Sequence, residues 1–136
     1  MATSKVFYTG DLRTEAVHLQ SGEHIKTDAP TDNHGLGEHF SPTDLLCTAL
    51  ASCILTIMGL SAKTHGFSIE GSVAEVEKVM SANPRRIAEI IIEIHIPNGK
   101  KLNPRFRDFI ELSARECPVA KSLHPETRKT IYIHYE

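Results

Sequence analysis

The stretch Leu45–Gly59, LLCTALASCILTIMG, contains no charged residue and carries two of the three cysteines of this 136-residue chain. Ser41-Pro42 precedes it, and a serine N-cap followed by proline in the first helical position favours the start of a helix. The apolar residues recur at helical spacing around most of the circumference, which is typical of a helix surrounded by protein. We therefore predict a fully buried core helix from Ser41 to about Lys63.

The uncharged segment is also long enough to be considered as a membrane span. Residues 45–62 would measure ~27 Å as a helix, which is close to the hydrocarbon thickness of a bilayer. Four hydroxyl side chains dilute its hydrophobicity, and neither end carries a basic cluster or an aromatic belt. We therefore expect no membrane span.

Composition limits the class of protein and the kinds of partner. Hydrophobic residues make up 40% of the chain and the net charge is −2, which fits one domain spanning residues 1–136. Acidic and basic residues are interspersed and no basic tract occurs, so nucleic acid is not an expected partner. The N-terminal residues contain no apolar signal region, and three cysteines are too few for a disulfide scaffold. These features indicate a cytoplasmic protein with reduced thiols.

Strand signals flank the predicted helix on both sides. The clearest is an alternation in which Ile90, Ile92, Ile94 and Ile96 would share one face. Six strands are predicted, at Lys5–Thr9, Arg13–Leu19, Glu23–Thr27, Ser68–Met80, Ile87–Pro97 and Thr130–Tyr135. A capped helix beginning after Asn103 and a short helical turn beginning at Cys117-Pro118 precede the last strand. The order βββ–α–ββ–α–α–β predicts an α+β fold with the long apolar helix packed on an antiparallel sheet.

The positions of the three cysteines restrict how they can pair. Cys47 and Cys53 are six residues apart, so on one helix they are separated by ~9 Å along the axis and point in different directions. A disulfide needs Cα atoms within roughly 7 Å, so an intramolecular pair would have to include Cys117. Cys117 stands where a helical turn begins, which favours a thiolate, whereas apolar surroundings would make Cys53 inert. From spacing alone, each cysteine is either a packing residue or a reactive one.

Three segments together resemble the OsmC-like superfamily, which includes osmotically inducible protein C and the organic hydroperoxide resistance proteins. They are residues 42–46 (PTDLL), 49–53 (ALASC) and 117–123 (CPVAKSL), and the likeness extends over nearly the whole chain. The resemblance implies an intertwined homodimer with active sites at the subunit interface. It also implies a thiol-dependent peroxidase that reduces organic hydroperoxides in oxidative stress defence. No cofactor is implied, only an external dithiol reductant.

The resemblance assigns roles to individual residues. Cys53 corresponds to the peroxidatic thiol, which becomes a sulfenic acid, and Cys117 corresponds to the resolving thiol, which forms a Cys53–Cys117 disulfide with it. An arginine from the N-terminal strand region usually holds the peroxidatic thiolate in this family. Arg13 is the only arginine before residue 85 and is therefore the candidate. Cys47 matches neither motif cysteine and is interpreted as a packing residue.

One position departs from the family pattern. In the hydroperoxide resistance members a glutamate usually stands ten residues before the first motif cysteine and orients the arginine. This chain has Thr43 there. Asp44, which also fits a helix cap, and Glu38, in the preceding loop, are the candidate carboxylates that could support Arg13 instead.

Other functions remain open from the sequence. A non-catalytic dimer could bind a small apolar ligand in an interfacial pocket, or its cysteines could act as a thiol redox sensor. A cysteine hydrolase is a weaker alternative, because no Cys–His arrangement is local in the sequence. His34 and His39 flank Glu38 in a polar loop, but no metal-binding spacing is present, so no metal site is expected.

Overall fold

The computed structural model describes all 136 residues. Its strands are β1 (Ser4–Gly10), β2 (Arg13–His18), β3 (His24–Asp28), β4 (Val73–Ser81), β5 (Arg86–Ile96) and β6 (Arg128–Tyr135). Its helices are α1 (Pro42–His65), α2 (Pro104–Arg115) and α3 (Pro118–Ser122), and two short 3-10 turns lie at Thr31–Asn33 and Gly99–Lys101. The predicted element order and the α+β class are confirmed.

The chain divides into two compact units, Met1–Leu46 and Cys47–Glu136. The first contains the sheet β1-β2-β3 and the first turn of α1. The second contains the rest of α1, the sheet β4-β5-β6, and α2 and α3. The assignment of residues 1–136 to one domain stays a prediction.

In the unit Met1–Leu46, three antiparallel strands form a small sheet whose apolar side chains are largely exposed. The β2–β3 hairpin pairs Val17 with His24 and, at its far end, Arg13 with Asp28. Val6 is 64% exposed and Ile25 is 51% exposed, although both belong to strands. A sheet of three short strands cannot cover its own faces, so its apolar side chains remain accessible within this chain.

In the unit Cys47–Glu136, the sheet is mixed rather than wholly antiparallel as predicted. β4 and β5 form an antiparallel hairpin, but β6 lies parallel to β5, with Ile92 opposite Ile131. The reason is the connection between them. Because α2 and α3 form a helical crossover, the chain returns to the end of the sheet at which β5 began.

The predicted start of β4 at Ser68 is wrong by several residues. A turn occupies this segment, in which the Ser72 N–H donates to the Ile69 carbonyl at 3.0 Å. Gly71 has a φ of +85°, which is a left-handed conformation that glycine adopts without a side-chain penalty. The strand therefore begins only at Val73, after the turn.

The core of this unit is formed by one face of α1 and one face of β5. Ile90, Ile92, Ile94 and Ile96 are fully buried, as the alternation predicted. The buried residues of α1 lie on a single stripe, which comprises Cys47, Leu50, Ala51, Ile54, Met58 and Ala62. Burial of an isoleucine, leucine or methionine side chain contributes roughly 1.5–3 kcal/mol, so these contacts set the rotation of the helix.

The prediction that α1 is fully buried is wrong for the single chain. Leu46 is 42% exposed and Leu60 is 63% exposed, and only a third of the most apolar window of the helix is buried. The helix is apolar on two faces, but the residues Cys47–Glu136 supply only one sheet to cover it. By length and hydropathy α1 could cross a membrane, yet core helices of water-soluble proteins meet the same criterion, so this one helix is weak evidence for a membrane span.

The opposite face of the β4-β5-β6 sheet carries a pair of histidines surrounded by carboxylates. The His95 and His134 rings stack with centroids 4.7 Å apart. His95 Nδ1 lies 2.7 Å from Glu136 and its Nε2 lies 3.3 Å from Glu75. The hydrogen bond to Glu136 raises the pKa of His95, and the charges of Glu75 and Glu93 act in the same direction.

This arrangement predicts a pH-dependent contribution of His95 to stability. Because its pKa is raised in the folded state, its contribution is fully present below about pH 6.5, its usual unfolded value, and is lost as the pH rises through the folded value. We expect His95→Gln to lower the free energy of unfolding in urea more at pH 5.5 than at pH 8.5.

A second variant tests the cause of this effect. Glu136→Gln removes the principal hydrogen-bond partner of His95 and should reduce the same pH-dependent difference. An equal loss of stability at both pH values in His95→Gln would contradict the interpretation.

Candidate functional site

Cys53 and Cys117 meet within the unit Cys47–Glu136. Cys53 lies in the middle of α1 and is partly exposed, whereas Cys117 is fully buried. Their side chains lie close enough for Cys53 to raise the pKa of Cys117, although the two residues are 64 positions apart in sequence. The three cysteines are present as thiols. The sequence could not place these two thiols together from spacing, but the structure brings them into direct contact.

The backbone around Cys117 is shaped by the proline that follows it. Pro118 occupies the first position of α3, and Cys117 is the N-cap, with φ −65° and ψ 122°. Its Sγ accepts a hydrogen bond from the Ala120 N–H at 3.4 Å, and the Val119 N–H also points to it. The cysteine thus takes the place of the usual serine or aspartate cap.

Burial dominates the ionisation of Cys117. It raises the pKa of the Cys117 thiol, and the contact with Cys53 raises it further. The two amide donors of α3 act in the opposite direction but do not outweigh burial. Cys117 is therefore a protonated thiol at neutral pH, and its position beneath the surface protects it from reagents that reach Cys53.

Cys47 has the surroundings of a core residue. It is 1% exposed and belongs to the core stripe of α1 with Leu50 and Ile54. α1 is continuous from Pro42 to His65, so the geometric argument against a Cys47–Cys53 disulfide holds. The structure places Cys47 in the core, as its interpretation as a packing residue requires.

Arg13 lies in the unit Met1–Leu46 and forms a bidentate ion pair with Asp28. Arg13 Nε donates to Asp28 Oδ1 at 2.6 Å, and Nη2 donates to Oδ2 at 3.0 Å. The pairing follows from the register of the β2–β3 hairpin, which puts the two residues opposite each other. The Arg13 side chain is 28% exposed and the Asp28 side chain is fully buried.

Asp28 also receives two backbone hydrogen bonds from the loop that follows β3. The N–H groups of Glu38 and His39 donate to Oδ2 at 2.9 Å and 3.1 Å. The hydrogen bond from Arg13 has the largest effect and, with these contacts, lowers the pKa of Asp28 to about 2. The pKa of Arg13 is raised, chiefly by the same hydrogen bond. The pair is therefore ionised throughout the physiological pH range.

The two carboxylates proposed from the sequence differ in their contacts. Glu38 approaches Arg13, with Oε1 at 3.5 Å from Nη2, but its side chain is 63% exposed. Asp44 forms a capping box, because its Oδ2 accepts the Ser41 N–H at 3.0 Å and its own N–H donates to Ser41 Oγ at 3.0 Å. The described contacts of Arg13 are with Asp28 and Glu38, and the support of Arg13 by Asp44 stays a prediction.

Asp28 is the residue that the sequence interpretation missed. The signal was present in the hairpin, since a turn centred on residues 20 and 21 pairs position 13 with position 28. The predicted third strand ends at Thr27, one residue before the position that pairs with Arg13. The structure contains no group of three or more histidine, cysteine, aspartate or glutamate side chains arranged to hold a metal ion.

Comparison with known proteins identifies the family. The model of the family described as OsmC-like protein matches residues 35–131. A crystal structure from Psychrobacter arcticus, described as an osmotic stress induced and detoxification response protein, is 52% identical with a TM-score of 0.93. The match covers 98% of this chain and 96% of that chain. No curated protein matches the sequence.

More distant solved structures share the fold. An OsmC-like protein from Mycoplasma pneumoniae has 20% identity and a TM-score of 0.78 over 96% of this chain and 93% of its own. An organic hydroperoxide resistance protein OsmC from Legionella pneumophila has 15% identity and a TM-score of 0.71 over 96% of this chain and 94% of its own. Since the family model spans more than half of the chain, and the similarity to the Psychrobacter protein extends over nearly all of it, this protein belongs to the OsmC-like family.

Proposed function

We propose that this protein is a cytoplasmic thiol-dependent peroxidase that reduces organic hydroperoxides and contributes to oxidative stress defence. The observation that carries the proposal is the contact between a partly exposed thiol, Cys53, and a buried one, Cys117. Membership of the OsmC-like family supports a redox or stress-related role. So do the descriptions of the Psychrobacter protein as a detoxification response protein and of the Legionella protein as an organic hydroperoxide resistance protein.

In the first step, Cys53 reacts with the hydroperoxide, since it is the more accessible thiol of the pair. The Cys53 thiolate attacks the terminal peroxide oxygen, an S–O bond forms and the O–O bond breaks. The alkoxide that leaves takes up a proton and departs as an alcohol. Cys53 is then a sulfenic acid, and the two electrons of its sulfur have reduced the peroxide.

In the second step, Cys117 attacks the Cys53 sulfur. An S–S bond forms, the S–O bond breaks, and the thiol proton of Cys117 leaves with the hydroxyl group as water. The contact between the two side chains means that little rearrangement is needed for this step. An external dithiol then reduces the disulfide by exchange and is itself oxidised, which restores both cysteines without a bound cofactor.

Arg13 is proposed to supply the positive charge that the Cys53 thiolate needs in apolar surroundings. A nearby cation favours the charged form of a thiol and opposes the effect of burial. Arg13 and Cys53 belong to different compact units, so their pairing is part of the proposal. The permanently charged guanidinium suits this role at any physiological pH.

A homodimer with active sites at its interface is proposed as the functional form. The exposed face of α1 includes Leu46 and Leu60, and the β1-β2-β3 sheet exposes Val6, Tyr8 and Ile25. Apolar side chains left exposed on a helix face or a sheet face often mark a protein–protein interface. A second copy of the chain would cover the helix face that the single chain leaves in solvent.

A second candidate function is the binding of a small apolar ligand without catalysis. It is favoured by an open cavity of about 640 Å³ between the C-terminal half of α1 and the turn before β4. Leu55, Phe67 and Ile69 line it, Lys63 lies at its wall, and neither Cys53 nor Cys117 does. Native mass spectrometry of the purified protein tests this function, because a chain that retains no ligand would count against it.

The peroxidase proposal predicts distinct outcomes for the three cysteines. Addition of one equivalent of tert-butyl hydroperoxide to the reduced protein should remove two thiols per chain and produce a Cys53–Cys117 disulfide, detected by thiol titration and peptide mapping. Cys53→Ser should reduce peroxide turnover with dithiothreitol to the background rate. Cys117→Ser should lose one thiol and gain the mass of one oxygen atom, without an intramolecular disulfide.

Cys47→Ala provides the matched control for these variants. It removes a thiol from the same helix but leaves both members of the proposed pair in place, so the disulfide should still form and turnover should persist. Undiminished turnover in Cys53→Ser, or three unreacted thiols in the wild-type protein, would rule out the proposed mechanism.

The dimer proposal predicts that a charge on the exposed face of α1 prevents association. We expect Leu60→Glu to convert the dimer to a monomer in size-exclusion chromatography with light scattering, because burial of an unpaired carboxylate is strongly unfavourable. Leu112→Glu, at a similarly exposed leucine of α2, is the control and should stay dimeric. A wild-type protein that is monomeric at micromolar concentration would contradict the proposal.

A further inference from the structure

We propose that Asp28 is a positioning residue that holds Arg13 with one edge of its guanidinium open to an anion. This inference rests on the proposed function, in which that anion is the Cys53 thiolate or the peroxide oxygen. It concerns a residue outside the segments by which the family resemblance was identified.

Asp28 is anchored independently of Arg13. Its backbone N–H donates to the Phe40 carbonyl at 3.1 Å, and its Oδ2 receives the N–H groups of Glu38 and His39. The loop between Asp28 and Phe40 is therefore hydrogen-bonded to both the backbone and the side chain of Asp28. The Asp28 carboxylate is fully buried and held by backbone N–H groups, so its position does not depend on Arg13. The long, partly exposed side chain of Arg13 therefore takes its orientation from Asp28.

The loop has a backbone shape that supports this closure. The Gly35 N–H donates to the Pro30 carbonyl at 2.9 Å, and a Cβ atom at position 35 would overlap the carbonyl of Ala29. Gly37 has a φ of +64°, which directs the chain so that the next two amides point at Asp28. The two glycines thus make the amide pair at Glu38 and His39 possible.

Arg13 uses only part of its hydrogen-bonding capacity in this arrangement. Its Nε and Nη2 bind the two oxygens of Asp28, and Nη2 also approaches Glu38. None of its described contacts involves Nη1. A guanidinium has five N–H donors in a rigid plane, so fixing the Nε–Nη2 edge also fixes the direction in which Nη1 presents its two N–H groups.

Asp28 can influence the Cys53 thiolate in two ways, by orienting Arg13 and through its own negative charge. Loss of Asp28 would change thiolate formation in opposite directions by these two routes. Removing the negative charge of Asp28 alone would make the surroundings of Arg13 more positive and would favour a nearby thiolate. Releasing Arg13 from its fixed orientation would instead weaken its contact with the thiolate and disfavour it. The direction of the change in thiol reactivity therefore distinguishes the two effects.

The test is the rate at which iodoacetamide alkylates Cys53 at pH 7 in the reduced full-length protein, followed by peptide mass spectrometry. We expect Arg13→Ala and Asp28→Asn each to slow alkylation ~10-fold, since thiolate formation controls the reactivity of cysteine. The double variant should be no slower than Arg13→Ala alone, because Asp28 acts through Arg13. The kcat/KM for tert-butyl hydroperoxide should follow the same order.

Two further variants serve as comparisons. Glu15→Gln removes an exposed carboxylate that pairs with His24 in the same hairpin, and should leave alkylation unchanged. If Asp28→Asn does not fold, as judged by circular dichroism, Arg13→Lys provides the test. Lysine keeps the positive charge but cannot form the two parallel hydrogen bonds to the Asp28 carboxylate, so alkylation should slow towards the Arg13→Ala rate.

The outcomes separate this inference from the proposed function. A slow Arg13→Ala variant with a wild-type or faster Asp28→Asn variant would overturn the positioning role and leave the proposed role of Arg13 intact. An unchanged rate in Arg13→Ala would overturn both roles, while peroxide reduction by Cys53 is decided separately by Cys53→Ser. Additive losses in the double variant would assign Asp28 an effect independent of Arg13, which also overturns the inference.

Discussion

The burial of one face of α1 against the isoleucine row of β5 determines the geometry of the thiol pair. Leu50, Ile54 and Met58 are fully buried, so the helix cannot rotate without exposing them. With that rotation fixed, Cys47 points into the core and Cys53, six residues later, lies away from the buried stripe. The α2–α3 crossover then brings Cys117 to Cys53. Two cysteines on the same helix thus acquire different surroundings from the same packing contacts.

The surroundings of the two thiols divide the tasks of the proposed reaction. Cys117 is buried and protonated, and its sulfur accepts hydrogen bonds from amides of α3. These surroundings suit a thiol that reacts only after Cys53 has been oxidised. Cys53 is the accessible member of the pair. In the proposed mechanism, the charge that activates Cys53 is that of Arg13, which pairs with the buried carboxylate of Asp28. Asp44 caps the start of α1 through its contacts with Ser41.

Features of the fold that depend on neighbouring residues can be predicted from the sequence, whereas features that depend on distant residues cannot. The alternation of isoleucines in β5, the serine cap of α1 and the asparagine cap of α2 depend on neighbouring residues, and all were predicted correctly. The direction of β6 and the pairing of Arg13 with Asp28 depend on residues that are distant in sequence, and local patterns do not encode them. The sequence overestimates the burial of α1 in the single chain. An apolar helix face indicates that protein packs against it, but not whether that protein belongs to the same chain.

The cramped loop at Gly35 has a consequence for comparing sequences in this family. A side chain at position 35 would collide with the carbonyl of Ala29, so only glycine is compatible with this backbone whatever the protein binds. The two amides that follow Gly37, those of Glu38 and His39, donate to the internal carboxylate of Asp28. A glycine retained here during evolution would therefore record an internal steric requirement, and substitutions at this position would report on the integrity of the loop rather than on a change of ligand.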